Sequence, residues 1–470
     1  MQQLCIFFWL FAAIVVLATL AVSAKRALTC LLVCVLICPV LPLGALTLRL
    51  ELVMVPLLFG LLVASNPAKL FAVLRGPCSV SLLVWLAWVV AASLLCGGWH
   101  LLANFAWWLE LYGLVRLALV FWLFAMFAWS RAEVIALIRF FALTAVPVCV
   151  LSIGQVLQWG WARSLSLTGF VPATSPVFQQ QLEKEETGYV FRALGVFGNV
   201  SPCAYYFAIV AGCCMIALLD QKVRGLSRSR LYWLGCGCFG LLGGISTMSG
   251  TFVAGLPIVM LLCFWLSRRN LSYRRLYLLL GIFLAAFIIT VVVVYSSPRL
   301  KAQYDYQVEG LLSGERFKSR YDDEIGITRQ AKNVIEGNPL LGGFGREEEI
   351  FIGDSILTLL GFYGGYVGAT LFTVFLVLLY YRTNRPDQTG YGILWLIGAL
   401  LFGASTTSFF TLRMADWWWA LMGIFTTCSL TGTGSPTKGR AASVSLDEVP
   451  AEFGGIGTPG TPKLDGSVSL

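Results

Sequence analysis

Apolar runs of about 20 residues recur along the whole chain, and they constrain the fold more than any other feature. An α-helix of that length crosses the hydrocarbon core of a bilayer, whereas a membrane barrel would show short alternating segments. Only 12% of the residues are charged and 58% are hydrophobic, whereas soluble domains carry about twice that charged fraction. The sequence therefore predicts an all-α polytopic membrane protein with about 12–13 transmembrane helices.

The predicted spans follow the apolar runs. They lie at 4–23, 27–43, 50–65, 79–97, 111–129, 134–157, 203–219, 231–248, 250–267, 276–297, 355–381, 390–411 and 416–431.

Three short links between the predicted spans are almost purely basic, at 220–230, 267–275 and 381–385. Because Lys and Arg accumulate in cytoplasmic loops, these links should face the cytoplasm. The two long polar segments, 158–202 and 298–353, then fall on the opposite, periplasmic side.

This pattern divides the chain into six predicted regions. The last is rich in Gly, Ser, Pro and Thr, so it should be a disordered cytoplasmic tail. The regions are N-terminal transmembrane helices at 1–157, a first periplasmic loop at 158–202, central transmembrane helices at 203–297, a large periplasmic loop with short helices at 298–353, C-terminal transmembrane helices at 354–431 and the tail at 432–470.

Metal and cofactor chemistry is not expected. The chain has a single histidine, His100, and its fourteen cysteines lie in or at the ends of apolar spans with no zinc-like spacing. We interpret the cysteines as packing residues.

Both long polar segments carry arginines beside glycine-rich turns. Arg192 lies in "GYVFRALGVFGNVSP", and Arg316, Arg320 and Arg329 precede or lie on a predicted helix that ends at 337–339. Guanidinium groups match phosphate oxygens bidentately and stay charged at neutral pH. As a set, these arginines favour anion binding, and a diphosphate on a lipid carrier would lie at this depth. For any single one, pairing with the carboxylates of "YDDE" or "REEE" remains an alternative.

The stretch "NPLLGGFG" predicts a turn that brings the second polar segment back to the membrane. Its turn residues are Pro339, Gly342, Gly343 and Gly345. Asp354 then begins the returning span, either as a helix N-cap or as a carboxylate that accepts a proton from an acceptor hydroxyl.

Two further arginines lie inside predicted spans. An intramembrane charge indicates function by default, so Arg116 is a candidate ligand for a lipid phosphate, with Glu110 as a nearby partner. Arg139 lies close enough to a span end to extend its guanidinium to the interface.

The tryptophans of "DWWWA" at 416–420 are predicted to anchor the last span at the interface, with carbohydrate stacking as the alternative. The sequence has no internal repeat and no predicted pair of broken helices. This argues against a secondary transporter.

Three stretches together resemble a known family. "NPLLGGFG" followed by "GDSILTLLGFYGGYVGATLF", "FRALGVFGNVSP" and "STMSGTFVAGLPIVML" are similar to the signatures of the O-antigen ligase and Wzy-type polymerase superfamily of bacterial inner-membrane glycosyltransferases. The third stretch lacks the arginine of that family's "SRG" helix start. The similarity covers about residues 190–380.

The resemblance implies a GT-C-like helical membrane fold with a periplasmic active site. It implies metal-independent transfer of a glycan from undecaprenyl diphosphate to an acceptor hydroxyl, with Arg192 and one arginine of 316–329 on the diphosphate. Ligases of this family usually carry histidine where this chain has Asp354. We therefore expect a polymerase of exopolysaccharide, capsule or O-antigen repeat units. An O-antigen ligase, a protein O-oligosaccharyltransferase and, outside enzymes, a transporter of lipid-linked sugar are the alternatives. A flippase and a chain-length copolymerase are the expected protein partners, and no nucleic acid is expected.

Overall fold

The structure is a computed structural model. It describes residues 2–43, 46–170, 182–183, 185, 191–219, 230–268, 277, 281, 288, 292, 295–296, 298–315, 318, 328–344, 355–384, 390–403, 409–410 and 413–427.

The described chain is built almost entirely of helices. In its first half these are α1 (Gln2–Val22), α2 (Ala24–Ile37), α3 (Leu50–Ser65), α4 (Pro67–Leu74), α5 (Pro77–Gly97), α6 (Phe105–Ala125), α7 (Arg131–Leu143), α8 (Ala145–Val156) and α9 (Gly160–Leu165). In its second half they are α10 (Val200–Leu219), α11 (Arg230–Ser246), α12 (Gly250–Ser267), α13 (Pro298–Leu312), α14 (Arg329–Gly337), α15 (Ile356–Thr383), α16 (Tyr391–Gly403) and α17 (Met414–Thr427). A short antiparallel hairpin pairs β1 (Leu41–Leu43) with β2 (Leu46–Leu48).

Among the described residues, seven helices are long and apolar enough to cross a membrane, or eight if the bent pair of α3 and α4 is one span. The prediction of a polytopic helical membrane protein is confirmed. Every predicted span except 276–297, most of which lies outside the described residues, coincides with a helix or a pair of consecutive helices. Helix α2 ends at Ile37, before the predicted end of its span at 43, and Leu41–Leu43 form β1.

Several of the described turns meet at one end of the bundle. At this end, α2 and α8 finish and α10, α12 and α17 begin, and contacts between their connecting segments hold them together. For example, the Val40 amide donates to the Gly169 carbonyl (2.7 Å). We call it the polar end. The first loop predicted to be periplasmic, 158–202, links two of these helix ends, the end of α8 and the start of α10.

The tryptophans of α17 are core residues, so their prediction as interface anchors is wrong. Trp417, Trp418 and Trp419 are each at most 1% exposed. Their indole N–H groups donate to carbonyls of Leu32, Trp395 and Phe409 at 2.8–3.2 Å. These bonds satisfy the three buried indoles and connect α17 to its neighbours.

Helix α15 is broken, which corrects the expectation of uninterrupted spans. Gly364 (φ −173°, ψ 25°) and Gly365 (φ 61°, ψ −161°) leave the helical region in its first half. The part after the break, 366–383, is about 27 Å long, which alone approaches the ~30 Å core of a bilayer. The helical segment before the break, 356–363, is therefore not required to run in the same direction as the segment after it. Helices α3 and α4 are also bent against each other, by 108°.

Candidate functional site

The Arg192 segment is joined directly to the turn between α11 and α12. Arg192 is half-buried, and its Nε donates to the Thr247 carbonyl at 3.3 Å. The adjacent Ala193 amide donates to the Ser246 carbonyl, also at 3.3 Å. Two stretches that resemble separate family signatures, about 55 residues apart in sequence, thus lie side by side at the polar end.

Two helices begin beside this junction. Helix α10 starts at Val200, where Asn199 Oδ1 accepts the Ser201 amide at 3.2 Å. Helix α12 starts at Gly250, where the Ser249 hydroxyl accepts the Thr251 amide at 3.2 Å. Helix N-termini carry unpaired N–H groups and partial positive charge, so together with the Arg192 guanidinium they suit an anionic group such as a diphosphate.

A buried glutamine, Gln155, holds the Arg192 segment in shape. It lies near the end of α8 and is 1% exposed. Its Oε1 accepts the amides of Leu194 and Gly195, both at 2.9 Å, and its Nε2 donates to the Gly195 carbonyl at 3.1 Å and to the Ser166 hydroxyl. Gly195 has φ +55°, a conformation that favours glycine. Sequence reasoning missed Gln155, because a single amide in an apolar helix carries no motif.

The turn "NPLLGGF" packs onto the break in α15. The Gly343 and Phe344 amides both donate to the Phe362 carbonyl, at 2.9 and 3.0 Å, and the Tyr366 amide donates to the Pro339 carbonyl at 2.7 Å. Gly342 has φ +76° and is buried against the same backbone. Through Phe344, the predicted turn therefore packs against a helix that is long and apolar enough to cross a membrane.

The helix before this turn was also predicted. Helix α14 buries Ala331 and Ile335 and ends at Gly337, as the sequence pattern indicated. Arg329 is its first residue and is exposed. Arg316, Arg320, Gly345 and Asp354 lie outside the described residues. Ser355, rather than Asp354, occupies the N-cap position of α15.

Arg116 pairs with a residue that the sequence did not suggest. Its Nη1 contacts Asp416 Oδ1, and the two side chains are 5% and 1% exposed. The predicted partner, Glu110, is exposed. It precedes Arg116 on α6 by six residues, about 240° round the helix, and so lies on a different face. Arg139 is exposed and contacts the Tyr232 ring (5.0 Å), in keeping with its predicted interfacial position.

The Arg116–Asp416 pair belongs to a larger buried charge cluster. Glu51 is 2% exposed and lies 3.6 Å from Arg49. Arg413, 4% exposed, donates to the last carbonyls of α2, those of Val35 (3.3 Å) and Leu36 (2.8 Å), and its guanidinium lies 4.8 Å from the Phe170 ring.

Burial lowers the pKa of Arg413 to about 10, so this guanidinium remains charged at neutral pH. The α2 C-terminus offers the partial negative charge that a buried cation needs. Arg413 therefore fixes the start of α17 against the end of α2. It also contacts Phe170, whose ring packs on the group of Phe191, Leu194 and Val200 beside Arg192.

Within the part of the chain that the structure describes, no three His, Cys, Asp or Glu side chains converge on a metal site. The arrangement offers guanidinium groups and helix N-termini instead.

The fold defines a multi-pass helical membrane protein with a polar end built from turns. No family model matches the chain, and no curated protein matches it.

Proposed function

We propose that this protein is a glycosyltransferase of the bacterial inner membrane. It polymerises oligosaccharide repeat units carried on undecaprenyl diphosphate, with its active site on the periplasmic side. The observation that carries the proposal is the junction of the Arg192 segment with the turn at 246–249. The junction joins Arg192 to the turn before α12, and α10 begins at Val200, a short distance further along the chain. A guanidinium close to helix starts suits a diphosphate at the membrane surface.

In this proposal the transfer is metal-independent. The acceptor hydroxyl oxygen attacks the anomeric carbon of the donor glycan, and the bond from that carbon to the diphosphate oxygen breaks. Arg192 and the N–H groups at the starts of α10 and α12 stabilise the charge that develops on the departing diphosphate. Arg329 and the sequence-predicted Arg316 and Arg320 add positive charge. The hydroxyl proton passes to the Asp354 carboxylate, the sequence-predicted base.

Two related activities use the same donor and the same arginines. An O-antigen ligase would transfer the glycan to lipid A core, and a protein O-oligosaccharyltransferase would transfer it to a protein hydroxyl. Asp354 in place of histidine favours the polymerase.

A transporter of lipid-linked sugar is the second candidate, and two observations favour it. A buried ion pair lies within the bundle, between Arg116 and Asp416, and α15 is broken at Gly364 and Gly365. Charges inside the bundle and discontinuous helices are features of transporters. The signature-like segments around Arg192 have no role in that reading, so we place it second.

One preparation separates the two functions. The purified protein in liposomes is given lipid-linked repeat units on one face, without other proteins. Chain length is measured on gels, and the transfer of the lipid-linked unit to the other leaflet is measured by its accessibility to a membrane-impermeant reagent. A polymerase lengthens chains without moving the donor. Movement of the donor without lengthening would overturn the proposal in favour of transport.

Arg192 is tested in the same assay and in cells. Arg192→Ala should abolish chain growth and leave single repeat units on the lipid carrier, and Arg192→Lys should restore only part of the activity because lysine lacks the guanidinium fork. Arg139→Ala is the matched control, since Arg139 is an exposed arginine outside the proposed site. Normal chain lengths from a stably inserted Arg192→Ala variant would refute the diphosphate role.

A further inference from the structure

The break in α15 and the turn at 338–344 exchange the same hydrogen-bonding groups. In an uninterrupted α-helix the Phe362 carbonyl accepts the Tyr366 amide. Here the carbonyl accepts the amides of Gly343 and Phe344, and the Tyr366 amide donates to Pro339. The turn therefore takes over both halves of one helical hydrogen bond.

A second carbonyl at the break is redirected in the same way. In a straight helix the Gly364 carbonyl would accept the Gly368 amide. In the structure it accepts the indole N–H of Trp88, on α5, at 2.9 Å. Each of these three redirected groups of α15, the Phe362 and Gly364 carbonyls and the Tyr366 amide, therefore has a partner in the broken helix and another in a straight one.

The two glycines at the break make both conformations accessible. Gly365 adopts φ +61° here, which glycine tolerates and other residues do not, yet glycine also adopts helical angles. A Cβ at Gly365 would collide with the Pro339 carbonyl and with the Leu340 backbone. Docking of the turn therefore requires both a glycine at position 365 and the broken form of α15.

We propose that the segment 338–344 is a lid that is docked when α15 is broken and released when α15 straightens across Gly364 and Gly365. The docked lid covers the polar end of α6, where Phe344 is buried and its ring lies 6.5 Å from that of Trp107. Straightening withdraws the lid and opens this part of the bundle. A ligand that binds one of the two states better shifts the balance between them. The inference does not depend on the reaction proposed above.

The distance between two spin labels shows whether α15 is broken or straight. Bioorthogonal spin labels at Leu357 and Val374, which are 70% and 47% exposed, flank the break. A straight helix separates these positions by about 25 Å along its axis, and a broken helix brings them closer. Gly365→Ala strains the broken form and favours the helical one, so it should raise the ratio of straight to broken helix by about 30-fold or more. Gly368→Ala is the matched control: its Cβ would meet Trp88 at an ordinary 3.5 Å, and it should leave the ratio unchanged.

An engineered disulfide is used to hold the lid in its docked position. The Asn338 amide nitrogen lies 3.1 Å from Cys96 Sγ, so Asn338→Cys places two thiols together when the lid is docked. In the Trp88→Phe background, which keeps Gly365, oxidation should return the labels to the shorter distance, and reduction should release them. Trp88→Phe provides a milder change that retains all the glycines, with an expected shift of about fivefold toward the straight helix.

Two results would overturn the proposal. In the first, the Gly365→Ala and Trp88→Phe variants both keep the parent distance. In the second, the helix straightens in the Trp88→Phe background but oxidation of the Asn338→Cys pair does not reverse it, which would mean that lid and helix are not coupled.

Discussion

The buried pair of Arg116 and Asp416 should be the most sensitive electrostatic contact between α6 and α17. Asp416→Asn keeps the shape of the side chain and removes its charge. Both side chains are at most 5% exposed, so water cannot replace the lost partner of Arg116. Breaking a buried pair from one side costs about 3–5 kcal/mol of folding free energy.

Glu51 determines where in that range the loss falls. Its carboxylate acts electrostatically on Arg116, and its Oε1 forms an ion pair with Arg49 (3.6 Å) but no hydrogen bond. It can therefore take over part of the compensation, and we expect a loss of about 3 kcal/mol for Asp416→Asn. Removing both charges, with Arg116→Met added, leaves no uncompensated cation, so the double variant should lose less than about 2 kcal/mol.

The free energy of unfolding is measured in mixed micelles for the parent, the two single variants and the double variant. Lys25→Gln is the control, because Lys25 and Glu133 form an ion pair (2.8 Å) whose side chains are 30% and 41% exposed, and such a pair contributes about 0–1 kcal/mol. The reasoning fails if Asp416→Asn costs no more than the control. It also fails if the losses of the two single variants simply add in the double variant, which would show that the two charges do not interact.

Two further predictions concern the turns at the polar end. Gln155→Leu leaves the Leu194 and Gly195 amides buried without an acceptor, so it should cost about 2–4 kcal/mol and speed their hydrogen exchange; unchanged exchange would contradict this. Gly342→Ala would place a methyl group 2.7 Å from the Gly365 amide at φ +76°, so it should expose the turn to limited proteolysis, whereas Gly337→Ala, with open space around it, should not. Equal cleavage of the two variants would refute the second.

The helices could be predicted from sequence because hydropathy is a local property. The apolar runs give the position of α5 or α10 to within a few residues, since crossing a bilayer demands length and composition alone. The helix α14 and its end at Gly337 could also be predicted from local features, namely the spacing of its buried residues and the turn that terminates it.

The contacts between helices could not be predicted in this way. Asp416 is 300 residues from Arg116, and nothing in the sequence around either residue identifies the other. The tryptophans that follow Asp416 have the composition of an interface, but the fold packs them inside. The two glycines at 364–365 did carry a signal for the break in α15, because adjacent glycines permit one, but they lie in a run apolar enough for a continuous span.

The packing of α6 against α17 explains why we place the proposed binding site at the polar end. These helices run parallel. Near the start of α17, Asp416 contacts Arg116. At the end of α17, the Thr427 hydroxyl donates to the Phe127 carbonyl (3.1 Å), just beyond the end of α6. Between these contacts the interface is apolar and so close that a Cβ at Gly423 would collide with the Phe121 carbonyl. Close packing of this kind leaves no room for a polar ligand. Toward its start, α6 extends beyond α17, and there the bundle is completed by turns that carry Arg413, the lid and the Arg192 segment. Among the described residues, the guanidinium groups of Arg413 and Arg192 lie where continuous helices give way to these turns, so a charged substrate would find donors there.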